Sequence, residues 1–117
     1  MEEPLRGTVK SKDDMERLFR EGRRSSSYLM NVIVAPAAGT NPQGRWAFIA
    51  GKKLGCAPLR SRCKRVMRAA AAELGGPWPQ LDVVFVARGK IATAEHQAVL
   101  KDMSKCLGKL GVVDAKR

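Results

Sequence analysis

The residues with the clearest chemical character lie in the stretch 51–72, GKKLGCAPLRSRCKRVMRAAAA, which contains no acidic residue. Its seven basic residues are Lys52, Lys53, Arg60, Arg62, Lys64, Arg65 and Arg68. From Leu59 onward the basic residues alternate with apolar ones at helical intervals, which predicts a helix with one charged side. Lys and Arg side chains held along a helix suit contacts with phosphates. The stretch therefore predicts a binding site for a polyanion.

Part of this charge should form a row along the predicted helix. Arg60, Lys64 and Arg68 recur every four residues, a spacing of about 6 Å that is comparable to the spacing of phosphates along a strand. Arg62 and Arg65 fall on other parts of the polar side. The alternative is that the charges merely solvate the helix, but a solvated helix usually mixes both signs, and the first acid here is Glu73.

Side chains suited to protein-borne catalysis are scarce. His96 is the only histidine, and its spacing with apolar residues indicates a packed or surface side chain. Asp13 and Asp14 lie in the first turn of a predicted helix, where carboxylates interact favourably with the helix dipole, so they are not expected to be a catalytic pair. Neither Gly51 nor Gly55 completes a nucleotide-binding fingerprint. We therefore expect no catalytic residue in this chain.

Composition favours nucleic acid as the partner. The 117 residues contain 22 Lys and Arg against 11 Asp and Glu, a formal charge of +11, which predicts nucleic acid first and an anionic membrane surface second. The length suits one domain, 1–117, with 1–10 as a loose arm and 112–117 as a frayed tail. No apolar run approaches the roughly 20 residues that cross a bilayer, so we expect a cytoplasmic protein. Three cysteines without a CxxC pair predict reduced thiols rather than a zinc site.

Hydrophobic periodicity predicts six elements in the order helix, strand, strand, helix, strand, helix, which indicates a single small α/β sandwich around one mixed sheet. The expected ranges are 12–21, 28–35, 45–50, 58–74, 81–87 and 94–110. Ser11 and Thr93 are the expected N-caps of the first and last helices. The first two strands should form an antiparallel pair, and the run 81–87, LDVVFVA, should be a central strand covered on both faces.

The strand patterns also predict which side chains share a face. Met30, Val32 and Val34 alternate with Asn31 and Ile33, and Trp46 and Phe48 alternate with Ala47 and Ile49. Apolar side chains of the first helix and of one sheet face, Met15, Phe19, Ile33 and Ile49, could line a cleft for stacked single-stranded bases. Ordinary core packing is the alternative for this set, and it is the default expectation for Tyr28, Trp46 and Phe48.

The basic stretch resembles the protein subunit of bacterial ribonuclease P. That family carries Ser-Lys-Lys, Gly-Asn-Ala, Arg-Asn-Arg, Lys-Arg and Arg-Glu at fixed intervals. The corresponding residues here are Gly51-Lys52-Lys53, Gly55-Cys56-Ala57, Arg60-Ser61-Arg62, Lys64-Arg65 and Arg68-Ala69. The resemblance extends to Met15 and Phe19 at usually aromatic positions, to Gly22, and to Val86-Ala87-Arg88. The departure in the middle of the motif is Ser61, whose hydroxyl reaches less far than the family's amide.

The resemblance implies a ribonucleoprotein for 5′ maturation of tRNA in which the catalytic groups belong to a large RNA. Its implied partners are that RNA and precursor tRNA, with no membrane and no obligate protein partner. Mg²⁺ would be bound mainly by the RNA and substrate, with none held by the protein alone. The implied RNA-binding residues are Lys52, Lys53, Arg60, Ser61, Arg62, Lys64, Arg65 and Arg68. The implied cleft for the 5′ leader is lined by Met15, Phe19, Asn31, Ile33 and Ile49.

The family also implies a left-handed β-α-β crossover around the basic helix, against the usual right-handed preference. Two other classes of function remain open from the residues alone. One is a non-catalytic RNA-binding module such as a ribosomal or RNA-assembly protein, which needs the same charge but no substrate cleft. The other is a stand-alone protein nuclease.

Overall fold

Three helices and a four-stranded sheet make up the part of the chain that the computed structural model describes, residues 12–36 and 44–112. The helices are α1 (Lys12–Glu21), α2 (Ala57–Glu73) and α3 (His96–Lys109). The strands are β1 (Arg23–Ser26), β2 (Met30–Pro36), β3 (Arg45–Ile49) and β4 (Leu81–Ala87), and single 3₁₀ turns span Lys52–Leu54 and Gly89–Thr93. The predicted arm, the Ser11 cap, most of the connection before β3, and the tail after residue 112 lie outside the described residues.

The sheet is mixed and has the strand order β1-β2-β4-β3. β2 is antiparallel to both β1 and β4, whereas β3 is parallel to β4. The predicted antiparallel pairing of β2 with β3 is therefore wrong, while the predicted central position of β4 is confirmed. β4 lies between β2 and β3 and keeps them apart, and its Val83, Val84 and Phe85 are fully buried, as expected for a central strand that is covered on both faces.

β3, α2 and β4 form a crossover between two parallel neighbouring strands. Its left hand stays a prediction from the resemblance.

β1 was not predicted, because Arg23–Ser26 has no apolar residue. It forms an edge strand whose register with β2 is fixed by a tight turn. The Ser27 backbone N–H donates to the Met30 carbonyl at 2.8 Å, and the Ser27 hydroxyl oxygen accepts from the N–H groups of Leu29 and Met30. Exposed arginines on an edge strand also discourage pairing with another chain.

The helices cover the two faces of the sheet in separate layers. On one face, α2 and α3 enclose the larger core, which includes Met30, Val32 and Val34 of β2. On the other face, Leu18 of α1 packs in a smaller cluster with Ile33. The predicted alternation along β2 and β3 is thereby confirmed. The end of α1 can approach β2 because Gly22 has no Cβ, and a Cβ there would lie 2.7 Å from Cγ2 of Ile33.

One expectation about α3 and one about packing are corrected by the structure. The N-cap of α3 is Glu95, and the predicted cap, Thr93, belongs to the preceding 3₁₀ turn. His96, expected as a packed or surface side chain, lies on the surface at the start of α3, with Nε2 2.9 Å from Oε1 of Glu73. Tyr28 is 68% exposed instead of packed in the core.

A buried carboxylate joins α1 to the sheet. Asp82 of β4 has no exposed surface, and its Oδ2 lies 2.9 Å from Nη2 of Arg17 and 2.8 Å from Nη2 of Arg45. Nε of Arg45 donates to the other carboxylate oxygen at 3.2 Å, and Nη1 of Arg17 donates to the Pro36 carbonyl. Paired guanidinium groups compensate the desolvation of the carboxylate. The network therefore connects α1, β3 and β4.

Replacing Asp82 by Asn should lower the free energy of unfolding by about 3 kcal/mol, because the amide leaves two partly buried arginines without their counter-charge. Urea denaturation measures the loss. The matched control is Glu16→Gln, which neutralises an exposed α1 carboxylate and should change stability by less than about 0.5 kcal/mol. Equal losses in the two variants would show that the ion pairs do not hold α1 in place.

Candidate nucleic-acid interface

The loop before α2 places two lysines in solvent. Lys52 and Lys53 are exposed on the 3₁₀ turn. The chain then passes through Gly55, whose φ of +134° is a conformation that favours glycine, and whose missing Cβ leaves room for Leu59. Pro58 occupies the first turn of α2, where its missing N–H breaks no helical hydrogen bond. Gly55 and Pro58 thus determine where α2 begins and where the two lysines lie.

α2 is amphipathic, as the spacing predicts. Cys63, Met67 and Ala70 are buried against the core, while Arg62 and Arg65 are exposed. Burial raises the pKa of the Cys63 thiol above its ordinary value, and the charge of Arg62 partly opposes that effect. Cys63 is therefore a neutral packing residue beneath the charged side of the helix.

An open cleft of about 420 Å³ lies between α1, the edge strand β3 and α2. We call it the α1–α2 cleft. Its lining residues are Met15, Trp46, Ala47, Phe48, Ile49, Ser61, Lys64, Arg65 and Arg68. One wall therefore carries three positive charges and a hydroxyl, and the rest of the lining is apolar. This combination suits a polyanionic strand with exposed bases.

Arg68 is held in the α1–α2 cleft by an aromatic ring. Its guanidinium carbon lies 5.2 Å from the ring centroid of Phe48, within cation–π range. Phe48 in turn stacks on the buried Phe85 with a 5.2 Å centroid separation and an interplanar angle of 7°. The aromatic pair fixes where Arg68 presents its charge.

The structure divides the predicted basic residues between two places. Lys64, Arg65 and Arg68 share the α1–α2 cleft, so the expected row of Arg60, Lys64 and Arg68 is only partly confirmed. Arg60 is half-buried, and its Nε is buried without a hydrogen-bond partner. Arg62 turns away, because its Nη1 donates to the Ala92 carbonyl at 3.2 Å.

The residues predicted to line the leader cleft also lie in different places. Met15 and Ile49 line the α1–α2 cleft. Phe19 is 39% exposed on α1, and Asn31 is half-buried with its Oδ1 unpartnered. Ile33 is only 1% exposed in the cluster under α1, so a bound strand could not touch it in this conformation. The prediction that Ile33 lines an open cleft is thus not met, because the short helix α1 covers it.

The charge on the cleft wall is not neutralised within the described residues. No ion pair joins Lys64, Arg65 or Arg68 to a carboxylate there. The acid at the end of α2, Glu73, contacts His96 instead. An anion from outside the chain would therefore meet uncompensated charge.

Residues 12–36 and 44–112 contain no group of three His, Cys, Asp or Glu side chains able to hold a metal ion. The helices in these ranges also lack the length and apolar character needed to cross a membrane.

Fold and cleft together define a small α/β protein with an acid-poor, phosphate-compatible surface, the class to which many RNA-binding proteins belong. The family model for Ribonuclease P matches residues 4–111. The chain is 31% identical over 106 residues to the ribonuclease P protein component of Syntrophomonas wolfei, covering 89% of this chain and 87% of that protein. It is 32% identical over 100 residues to that of Lactococcus lactis, covering 85% and 83%. The chain therefore belongs to the ribonuclease P protein component family.

Solved structures show the same fold. The RNase P protein of Staphylococcus aureus matches with a TM-score of 0.81 and 19% identity, covering 92% of this chain and 98% of that one. The RNase P protein of Thermotoga maritima matches with a TM-score of 0.71 and 20% identity, covering 84% and 92%. The expected family and the mixed α/β fold are thus confirmed.

The cation–π contact predicts different roles for two neighbouring arginines. Arg68→Ala should lower the free energy of unfolding by about 0.5–1 kcal/mol, because Phe48 loses the charge above its ring. Arg65→Ala should leave stability within about 0.5 kcal/mol, since Arg65 is exposed and, unlike Arg68, makes no cation–π contact among the described residues. Urea denaturation of the two variants compares them directly. Equal stability of both would contradict the observed geometry.

Proposed function

We propose that this chain is the protein subunit of a ribonuclease P ribonucleoprotein and binds both the catalytic RNA and the 5′ leader of precursor tRNA. The observation that carries the proposal is the α1–α2 cleft, where an apolar lining faces unpaired basic side chains. Family membership supports the same function, since its members are components of an RNA-processing enzyme.

The two kinds of lining suit two parts of an RNA strand. Lys64, Arg65 and Arg68 supply positive charge for phosphates, and Met15 and Ile49 supply apolar surface for unstacked bases. Ser61 can donate or accept one hydrogen bond at the same wall. We assign the α1–α2 cleft and the nearby exposed Phe19 to the single-stranded leader.

The catalytic RNA should lie against the basic side chains outside the α1–α2 cleft. Lys52 and Lys53 project from the 3₁₀ turn, and Arg62 and the half-buried Arg60 occupy the same half of α2. A folded RNA has closely spaced phosphates, and each basic contact releases counterions. The divided placement of the basic residues thus supports two RNA contacts rather than one.

The described residues do not fit a protein-held Mg²⁺ site. Mg²⁺ prefers carboxylate and phosphate oxygens, whereas the cleft wall carries lysine and arginine. We therefore propose that Mg²⁺ belongs to the RNA and substrate, and that chemistry is carried out by the RNA. The protein lowers the Mg²⁺ requirement by supplying positive charge where phosphates approach each other. Such a ribonucleoprotein would work in the cytoplasm.

Reconstitution tests the proposed function. Added to a bacterial ribonuclease P RNA, the protein should stimulate cleavage of precursor tRNA at low Mg²⁺, because its basic side chains replace part of the ionic screening. The measurement is the single-turnover cleavage rate with and without protein.

Two controls make this experiment decisive. The RNA alone at high Mg²⁺ verifies that the RNA is folded, and the protein alone tests for a stand-alone nuclease. Absence of stimulation at low Mg²⁺ would refute the proposal. Cleavage by the protein without RNA would place the chemistry in this chain.

The salt dependence of binding should identify a phosphate contact. Arg65→Ala should reduce the slope of log affinity against log salt by about 0.7–0.9, the value for one lost phosphate contact. The control is Lys109→Ala, which removes one exposed charge from the last turn of α3. Filter binding to precursor tRNA and to the catalytic RNA over a salt series measures both. An unchanged slope for Arg65→Ala on both RNAs would remove it from the interface.

A further inference from the structure

Tyr28 presents an aromatic ring to solvent outside the α1–α2 cleft. It is 68% exposed, more than Phe19, the other exposed large hydrophobic residue in the described part of the chain. The turn that carries it is fixed: the Ser27 hydroxyl accepts two backbone N–H groups, and Nη1 of Arg88 donates to the Ser27 carbonyl at 3.2 Å. The backbone N–H of Arg88 also donates to the Leu29 carbonyl at 2.9 Å. The exposed ring is thus displayed on a well-anchored turn.

A groove of about 520 Å³ adjoins this ring, between the β1–β2 turn, the 3₁₀ turn 89–93 and α3. We call it the Tyr28 groove. Three of its lining residues are the lysines Lys90, Lys101 and Lys105. One acid, Asp102, also lines it, and its Oδ2 accepts the Leu29 backbone N–H at 3.1 Å. The groove therefore has an excess of positive charge beside an exposed aromatic ring.

The Tyr28 groove lies at the same end of the sheet as one end of the α1–α2 cleft. β3 and β4 are parallel and end there at Ile49 and Ala87, and the antiparallel strand β2 begins there, with Met30 opposite Ala87. The two 3₁₀ turns, which carry Lys52, Lys53 and Lys90, contact each other at this end. Basic side chains thus continue from the cleft to the groove.

We infer that the Tyr28 groove is a second subsite for single-stranded RNA, occupied by leader nucleotides of precursor tRNA that extend beyond the α1–α2 cleft. A base stacks on Tyr28, and adjacent phosphates contact Lys90, Lys101 and Lys105. Charge complementarity with lysines and the exposed π-face select a nucleic-acid strand as the occupant. This inference rests on the proposed function, because it requires a leader in the neighbouring cleft.

Leader length is the variable that tests the subsite. Reconstituted holoenzyme should bind a precursor with a leader of about 16 nucleotides roughly tenfold more weakly after Tyr28→Ala, as expected for one lost stacking contact. A precursor with a leader of about 4 nucleotides should bind the variant and the unaltered protein alike, because it ends before the groove. Tyr28→Phe keeps the π-face and should restore tight binding of the long leader.

The lysines give a second, independent readout. The double variant Lys101→Ala, Lys105→Ala should reduce the salt slope for the long leader by about 1.4, since each single-strand phosphate contact contributes about 0.7. The control is Lys109→Ala on the same helix, outside the lining of the groove. Its salt slope for the long leader should match that of the unaltered protein.

The outcomes separate this inference from the proposed function. Equal affinity of Tyr28→Ala and unaltered holoenzyme for the long leader overturns the subsite while leaving the function intact. So does equal weakening for both leaders, which would place Tyr28 against the catalytic RNA or a shared part of the substrate. Failure of the unaltered protein to stimulate precursor cleavage refutes the proposed function itself.

Discussion

The carboxylate of Asp82 is the interaction on which the α1–α2 cleft depends. A fully buried charge is tolerated only with close partners, and here those partners come from α1 and from the edge strand β3. The same two elements form walls of the cleft. Arg17 also donates a hydrogen bond to the carbonyl of Pro36, the last residue of β2. α1 is therefore attached at the C-terminal end of that strand. The ion-pair network therefore attaches α1 to β2, β3 and β4 beside the cleft.

Much of the fold could be predicted because local sequence patterns determine it. Alternation along β2 and β3 identified the buried faces, and the apolar run of β4 identified a central strand. The order of strands depends on contacts between distant segments, which periodicity does not contain. β1 has no apolar side chain and forms only because β2 offers a free edge. Asp82 was the one acid in an apolar strand, a signal that could have revealed the buried ion pair.

The sequence could predict which residues belong to the candidate site better than it could predict how the fold places them. Motif spacing identified Ser61, Lys64, Arg65 and Arg68, which the structure brings into one cleft with Met15 and Ile49. It could not show that Arg62 turns toward the Ala92 carbonyl, because that contact joins α2 to a separate turn. Nor could it show that Ile33 is covered while Tyr28 is exposed, since both lie in the run 28–35 that the sequence predicts as one strand. Exposure depends on which element lies above each residue.

The central position of β4 has a consequence for the order in which the protein is made. β3 lines the cleft, and among the strands that the structure describes its partner is β4. β4 follows the whole of α2 in the chain. During translation the basic helix leaves the ribosome before the strand that completes the sheet beneath it. A nascent chain thus carries the basic side chains of α2 before it has the cleft that they line, because the sheet beneath them is complete only once β4 ends at Ala87.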